Sequence, residues 1–424
     1  MTTAVPPGLR RNANFTKLWA GQSISMVGVN VTYVALPLLA IYAIDAGAFE
    51  VGLITLAETL PYLVVTLWAG AWIDERKRIP VMLVADILRG AILVAVAVLT
   101  LMHLITLEII VGLMLLYGVG SVFFEVAYYA VVPTIVHRSD LMRANSRLQT
   151  SASVSLLLGT NVGGLLTQIL TAPFALIVDA LTFVASALSL RSMKVDEQVH
   201  VPADRPPARR KQIWEGLRYV ARQPVLRSLT ASSALYNFFT NGVMTLFPVF
   251  AVKSLHLNAG TIGFVESFGA VGAVVGALVA SRMISRLGAG PAYTLAKALT
   301  WAAVLSFGFA PAGGTGAVVL LAVAFSVSGM LIVSNVVGIT LRQAVTEDHL
   351  LGRMTATYKF VSYGAQSLGA LAGGIAGEVL GLRVAMIAGG IGLVTSVLVG
   401  LNLRRIRQLP TETGRPEAVV TVAR

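Results

Sequence analysis

Cysteine is absent from the 424 residues, which excludes disulfides, thiolate metal sites and a cysteine nucleophile. Charge is scarce too. Asp, Glu, Lys and Arg make up 12% of the chain, about half the share of an ordinary soluble domain. No G-x-x-x-x-G-K-[ST] segment occurs, so the loop that would cradle the phosphates of ATP is missing. The five histidines, His103, His137, His200, His256 and His349, fall in or near the breaks between apolar runs, and no H-E-x-x-H or other metal spacing is present. These gaps leave no thiol chemistry, no nucleotide hydrolysis and no metal site to expect. No cofactor is expected, and the chain does not read as an enzyme.

What is abundant is apolar surface. Hydrophobic residues make up 56% of the chain and the mean hydropathy is +0.79, the range of polytopic membrane proteins. The polar start "MTTAVPPGLRRNAN" precedes an apolar run too long for a cleavable signal, so the first span is expected to be kept. Twelve spans are predicted, near 15–43, 50–73, 79–101, 107–133, 145–170, 172–191, 225–252, 259–284, 291–311, 315–341, 353–380 and 382–403. Their connections alternate in charge. Arg10, Arg11 and Lys17, then Arg76, Lys77 and Arg78, then Arg138 and Arg143, and so on to Arg404, Arg405 and Arg407, fall on one side. The other side has little basic charge besides Lys253 and Arg383, and carries Asp45, Glu50 and Glu108. The positive-inside rule puts both termini in the cytoplasm, which requires an even number of spans. The net charge of +12 is read as this topological excess, not as a nucleic-acid surface.

The one long polar break, "KVDEQVHVPADRPPARRKQ" at 194–212, separates two sets of six spans. The expected organisation is a first half over 1–193, a cytoplasmic linker over 194–222, a second half over 223–404 and a disordered tail over 405–424. The linker ends in "IWEGLRYVARQP", an amphipathic pattern suited to a helix at the membrane surface. The halves look like copies. "LGTNVGGLL" gives Gly159, Gly163 and Gly164, and "LGALAGGIA" gives Gly369, Gly373 and Gly374, each as G-x-x-x-G-G. Each follows a similar loop, "VHRSDLMRANS" and "VTEDHLLGRMT". "LVADILRGAIL" aligns with "TLAKALTWAAV", setting Asp86 against Lys297. Such repeats are the design of secondary transporters with a site near mid-membrane. Close helix packing through small residues explains most glycine clusters, and a moving interface is the functional version of it.

Ionisable groups inside the spans are the functional candidates. Glu125 is the only acid in "LLYGVGSVFFEVAYYAVVP", about 12 Å from the end of its helix by helical rise. A carboxyl there is costly to ionise, which suits a proton carrier. The alternative is an acid that stays protonated and hydrogen-bonds Tyr128 or a neighbouring helix. Asp86 and Arg89, one turn apart, form an expected ion pair, with Asp86 also a proton candidate. Glu58 and Glu266 sit at similar depths in the second and eighth spans and could carry protons or line a cavity. Asp179 is read as structural. Lys297 and Lys359 are the intramembrane cations of the second half, either of which could pair with Glu266 or a substrate anion. Aromatics including Tyr33, Tyr128, Tyr129 and Phe238 could line a cavity for greasy substrates, and the amides Asn30 and Asn237 avoid lipid.

"GAWIDERKRIP" resembles the Gly-x-x-x-Asp-Arg-x-x-Arg-Arg loop signature of the major facilitator superfamily. "FFEVAYYAVVPTIVHRSDLMRANS", "ADILRG", "VDALTFVASA" and "EGLRYVARQPVLR" are similar to its drug:proton antiporter branch, which contains enterobactin-exporter-like and macrolide-efflux-like proteins. The resemblance covers about 10–405. It implies an all-α polytopic membrane protein with twelve transmembrane helices in two six-helix halves. It further implies efflux of amphipathic compounds driven by the proton gradient, with the bilayer and protons as partners, no nucleic acid, and a monomer in the bacterial plasma membrane. It makes Gly70, Asp74, Arg76, Lys77 and Arg78, with Arg89, a conformational latch, and it turns the spans of Asn30 and Asn237 towards the cavity. Three departures stand out: Glu75 where Arg is usual, Thr160 where Pro is usual, and no Arg in the fourth span. Exporters of a siderophore or self-made antibiotic, a nutrient uptake symporter, and a transport-dead scaffold or sensor remain as alternatives.

Overall fold

The computed structural model describes residues 12–137, 140–195, 197, 209–347 and 350–406, apart from the side chains of Leu67, Ala71, Asp74, Met142, residues 209–213 and Gly352. The expected tail from 407 on, and residues 196 and 198–208 of the linker, lie outside the described residues.

The described chain is built of helices. They are α1 (Ala13–Ile44), α2 (Ala48–Val64), α3 (Thr66–Asp74), α4 (Arg78–Leu101), α5 (Leu107–Ile135), α6 (Leu141–Leu170), α7 (Ala172–Arg191) and α8 (Arg209–Arg222). There follow α9 (Pro224–Lys253), α10 (Ala259–Leu287), α11 (Ala289–Phe307), α12 (Gly314–Ser328), α13 (Leu331–Ala344), α14 (Leu351–Leu380) and α15 (Leu382–Gly400). Local chemistry sets their ends. Asn12 caps α1 by accepting from the Phe15 N–H at 3.0 Å, and its amide donates to the Ile135 carbonyl at 2.7 Å, which ties the start of α1 to the end of α5. Gln223 caps α9 in the same way, with Pro224 in the first turn where no N–H is needed.

Among the described residues, nine helical stretches are long and apolar enough to cross a membrane unaided. The other three predicted spans depart for visible reasons. The second, expected as one run over 50–73, is divided at Val65 into α2 and α3, four residues beyond Pro61. Proline removes its own backbone donor and crowds the carbonyl four residues before it, so Pro61 acts on the turn at Ala57 and does not by itself account for the division at Val65. The ninth carries Lys297 and the eleventh Arg353, Lys359 and Glu378. The tenth is also divided, near Gly329, where a Cβ would stand 2.4 Å from the Ala273 nitrogen of α10.

The chain forms two compact units. One holds residues 1–46, 57–203 and 258–267; the other holds 47–56, 204–257 and 268–424. In the first unit α1 lies against α6 and α7, and α4 against α5 and α7. In the second, α9 lies against α14 and α15, and α11 against α12, α13 and α15. The same packing scheme therefore occurs twice, as the repeat implies.

The six glycines follow that scheme. Gly159 and Gly163 sit on the α1 backbone at Val27 and Val31, and Gly369 and Gly373 sit on the α9 backbone at Phe238 and Gly242. The third glycine of each set turns to another helix: Gly164 meets Ala259 and Gly263 of α10, and Gly374 meets Ala48 and Gly52 of α2. A Cβ at Gly373 would stand 2.5 Å from the Gly242 Cα, a distance that only helix separation could relieve. This is small-residue packing at its tightest.

One turn shows what the duplication left behind. α14 and α15 are joined at Gly381, φ 80, ψ 151; α6 and α7 are joined at Thr171, φ 81, ψ 157. That region belongs almost wholly to glycine, and a β-branched residue in it is strained. Thr171→Gly is expected to stabilise the protein by about 1 kcal/mol, the relieved strain less the added chain entropy. Thermal unfolding in detergent measures this, and a lower midpoint for the glycine variant would refute it.

Candidate functional site

The first unit holds most of the predicted ionisable residues. Asp86 of α4 is fully buried and accepts from Arg89 Nη2 one turn on. The Arg89 guanidinium, itself 6% exposed, lies 4.3 Å from the Phe124 ring of α5 and 4.4 Å from the Phe183 ring of α7. Planar guanidinium on aromatic faces is a favourable way to hold a buried cation. Asp179 of α7, fully buried, joins the same group. Thr32 Oγ1 donates to its Oδ2 at 2.5 Å and Thr182 Oγ1 to its Oδ1 at 3.0 Å. Gly28 of α1 makes room for it, since a Cβ there would fall 2.1 Å from Oδ1. Asp86 and Arg89 both act electrostatically on Asp179. Two buried carboxyls thus share one guanidinium, and the group is neutral only when one carboxyl holds a proton.

A second grouping surrounds Tyr33 of α1. Its side chain is half-exposed, and its phenol lies in electrostatic range of both Glu58 and Glu266. Glu266 is 9% exposed, and its buried Oε2 has no hydrogen-bond partner. Glu58 is carried on the part of α2 that Gly118 of α5 approaches, where a Cβ would stand 2.3 Å from the Glu58 carbonyl oxygen. The two groupings connect through Tyr117 of α5, a buried phenol under the influence of Asp179, Arg89 and Glu58. Sequence reasoning missed Tyr117, which resembles any other apolar-run tyrosine.

Glu125 stands apart on α5, half-buried, with the exposed Tyr129 within its electrostatic reach. Of the two forms of the expected alternative, the Glu125–Tyr128 hydrogen bond is not made, since Tyr128 Oη has no partner; a bond from Glu125 to a neighbouring helix is not decided by this. The reason is rotational. Tyr128 turns inward to stack on Phe124 at 6.2 Å, while Tyr129 points outward.

In the second unit Lys297 is buried without a carboxylate among its described partners; its Nζ lies 4.1 Å from the Tyr236 ring and 5.7 Å from the Tyr293 ring. Tyr293 in turn donates to Ser232 at 3.0 Å. Asn237 and Lys359 are half-buried, and Phe238 meets Phe239 edge-on at 5.1 Å. Asn30, in the first unit, donates to its own helix at Met26 beside Gly159.

Of the latch residues, Gly70 lies on α3, where a Cβ would meet nothing within 4 Å. Arg76 places its guanidinium 4.1 Å over the Trp72 ring, and Lys77 is exposed. Arg78 buries its Nε without an acceptor. The Asp74 side chain lies outside those described. Arg89 is held by Asp86 and two rings, well inside its helix bundle.

Residues 3–418 match the family described as the transmembrane secretion effector. The chain belongs to that family. It is a multi-pass membrane protein of the major facilitator superfamily with that superfamily's fold. The family relatives include a protein named multidrug efflux pump Tap from Mycolicibacterium fortuitum, 28% identical over 410 residues, covering 93% of this chain and 95% of Tap. Another is the enterobactin exporter EntS of Escherichia coli, 25% identical over 416 residues, covering 95% of this chain and 96% of EntS. Among solved structures, a bacterial homologue of the iron transporter ferroportin superposes with a TM-score of 0.77 at 16% identity, covering 94% of this chain and all of that one.

Proposed function

We propose that this chain exports amphipathic small molecules across a bacterial plasma membrane in exchange for protons, by alternating access. One observation carries the proton part: the series Glu266, Tyr33, Glu58, Tyr117, Asp179 with Arg89, and Asp86, each member in electrostatic range of the next. Series of acids and phenols inside a membrane protein are the material of proton relays. Glu125, apart from this series, is our candidate for the acid that exchanges a proton against substrate, because it lies part-way along its span beside an exposed phenol. The names of Tap and EntS, both exporters, support the outward direction. The Lys and Arg distribution supports cytoplasmic termini and linker. Asp74 with Arg76, Lys77 and Arg78 acts as the latch between states, because a switch needs a contact present in one state only.

A second reading, export of a single siderophore or self-made antibiotic, is favoured by the near full-length likeness to EntS. Expression in a host stripped of its own efflux pumps separates the two. Raised inhibitory concentrations for several unrelated lipophilic compounds, lost on adding a protonophore, are the expected result. Resistance to none, with secretion of one native metabolite, would select the second reading. Unchanged susceptibility and no secretion would reject export.

A further inference from the structure

α3 and α4 both pack on α5 but barely on each other. The gap between them is an open groove of about 580 Å³ with Gly120 and Phe123 of α5 as its floor. Its walls are Trp72 on one side and Val84 and Leu88 on the other. Val84 is 62% exposed and Leu88 39%, so this face of α4 meets the bilayer and not the protein core. The aromatic wall is rigid: Trp72 stacks on Trp68 at 6.2 Å, and both meet Phe123 edge-on at 5.4 and 5.8 Å.

The mouth is charged. Arg76 and Lys77 line it together with Glu75. Arg76 is steadied there by Trp72, and behind them Arg78 has a buried Nε with no acceptor. Glu197 accepts from the Ile79 N–H nearby at 3.3 Å. Among the described side chains that line it, Arg76 and Lys77 against Glu75 leave one positive charge in excess. From Lys77 to Leu88 the helix rises about 16 Å, which is roughly half of the ~30 Å hydrocarbon core. The groove therefore runs through one leaflet, with its charged end at the membrane–water boundary.

We propose that this groove is a binding site for an anionic phospholipid. One acyl chain lies along Val84, Leu88 and Phe123, and the phosphate bridges Arg76 and Lys77. The long apolar lining of Val84, Leu88 and Phe123 suits an acyl chain. The charge selects the headgroup, since basic residues at the membrane boundary attract anionic lipid. Because Arg76 and Lys77 also belong to the proposed latch, transport is not a suitable readout; lipid contact is.

The test uses the full-length protein, with Trp19, Trp214 and Trp301 changed to Phe so that Trp68 and Trp72 report alone. It is reconstituted into phosphatidylcholine vesicles containing increasing fractions of phosphatidylglycerol with brominated chains, or of brominated phosphatidylcholine, which quench tryptophan on contact. The phosphatidylglycerol is expected to quench at lower fractions, with a preference of about five-fold for each basic contact. Arg76→Gln with Lys77→Gln should bring the two curves together and leave the phosphatidylcholine curve in place. Val84→Phe, which fills the groove and keeps both cations, should reduce quenching by both lipids, and it decides the matter if the double variant does not fold. Equal quenching by the two lipids in the unaltered groove would mean ordinary boundary lipid and overturn the proposal. A preference that survives in the double variant would overturn the headgroup assignment.

Discussion

Replacing Arg89 with methionine is expected to destabilise the protein by about 3–5 kcal/mol, the cost of leaving a buried charge without its partner. Asp86 and Asp179 are both fully buried, and Arg89 is the cation they share. Methionine fills much the same space against Phe124 and Phe183, so the loss comes from charge and not from a cavity. Arg89→Lys should recover only part of it, because an ammonium lacks the planar fork and stacks poorly on rings. The decisive variant is Arg89→Met combined with Asp86→Asn, which removes both charges of the pair. It should be markedly more stable than Arg89→Met alone. Thermal unfolding of detergent-purified protein measures all three, and equal midpoints for the single and double variants would show that the pair is not what Arg89 provides.

The second large effect concerns Glu125. Glu125→Gln keeps the shape of the protonated side chain, so the fold should survive. The variant should lose concentrative transport completely. A pH difference of one unit can sustain about a tenfold substrate gradient for each proton exchanged, and without the exchanging acid the ratio should settle near one. Exchange of substrate for substrate, which moves no net proton, should persist. Protonation and substrate binding at linked sites must weaken each other by the same factor, so the pH dependence of substrate affinity should flatten in the variant. If Glu125→Gln still concentrates substrate with the usual pH dependence, the coupling role passes to the series containing Glu58, Glu266, Asp179 and Asp86.

The parts of this account that depend on short spacing were legible in the sequence. Asp86 and Arg89 are one turn apart, so their pairing follows from helix geometry alone. The two G-x-x-x-G-G sets followed from the repeat, and each glycine meets the backbone of a neighbouring helix. Contacts between distant segments were not legible. The partners of Asp179 were not legible, because nothing local shows that α1 supplies Thr32 and the space at Gly28, or that α4 supplies Arg89. Tyr117 gave no signal, since the groups that act on it, Asp179, Arg89 and Glu58, come from other helices. The choice between Tyr128 and Tyr129 as the neighbour of Glu125 was also closed to sequence. Positions three and four on share a helix face, and only packing against Phe124 turns Tyr128 away. The division of the second span was not legible, because apolar character runs unbroken across Val65.

The central claim is that protons move in as substrate moves out. Its most direct measurement uses everted membrane vesicles expressing the protein and a fluorescent lipophilic cation to which it confers resistance. With the lumen acidified, the cation should accumulate inside, and its addition should make the lumen more alkaline as protons leave in exchange. Collapse of the pH gradient with nigericin should release the accumulated compound. Accumulation that is indifferent to nigericin, or that occurs without alkalinisation of the lumen, would contradict the account.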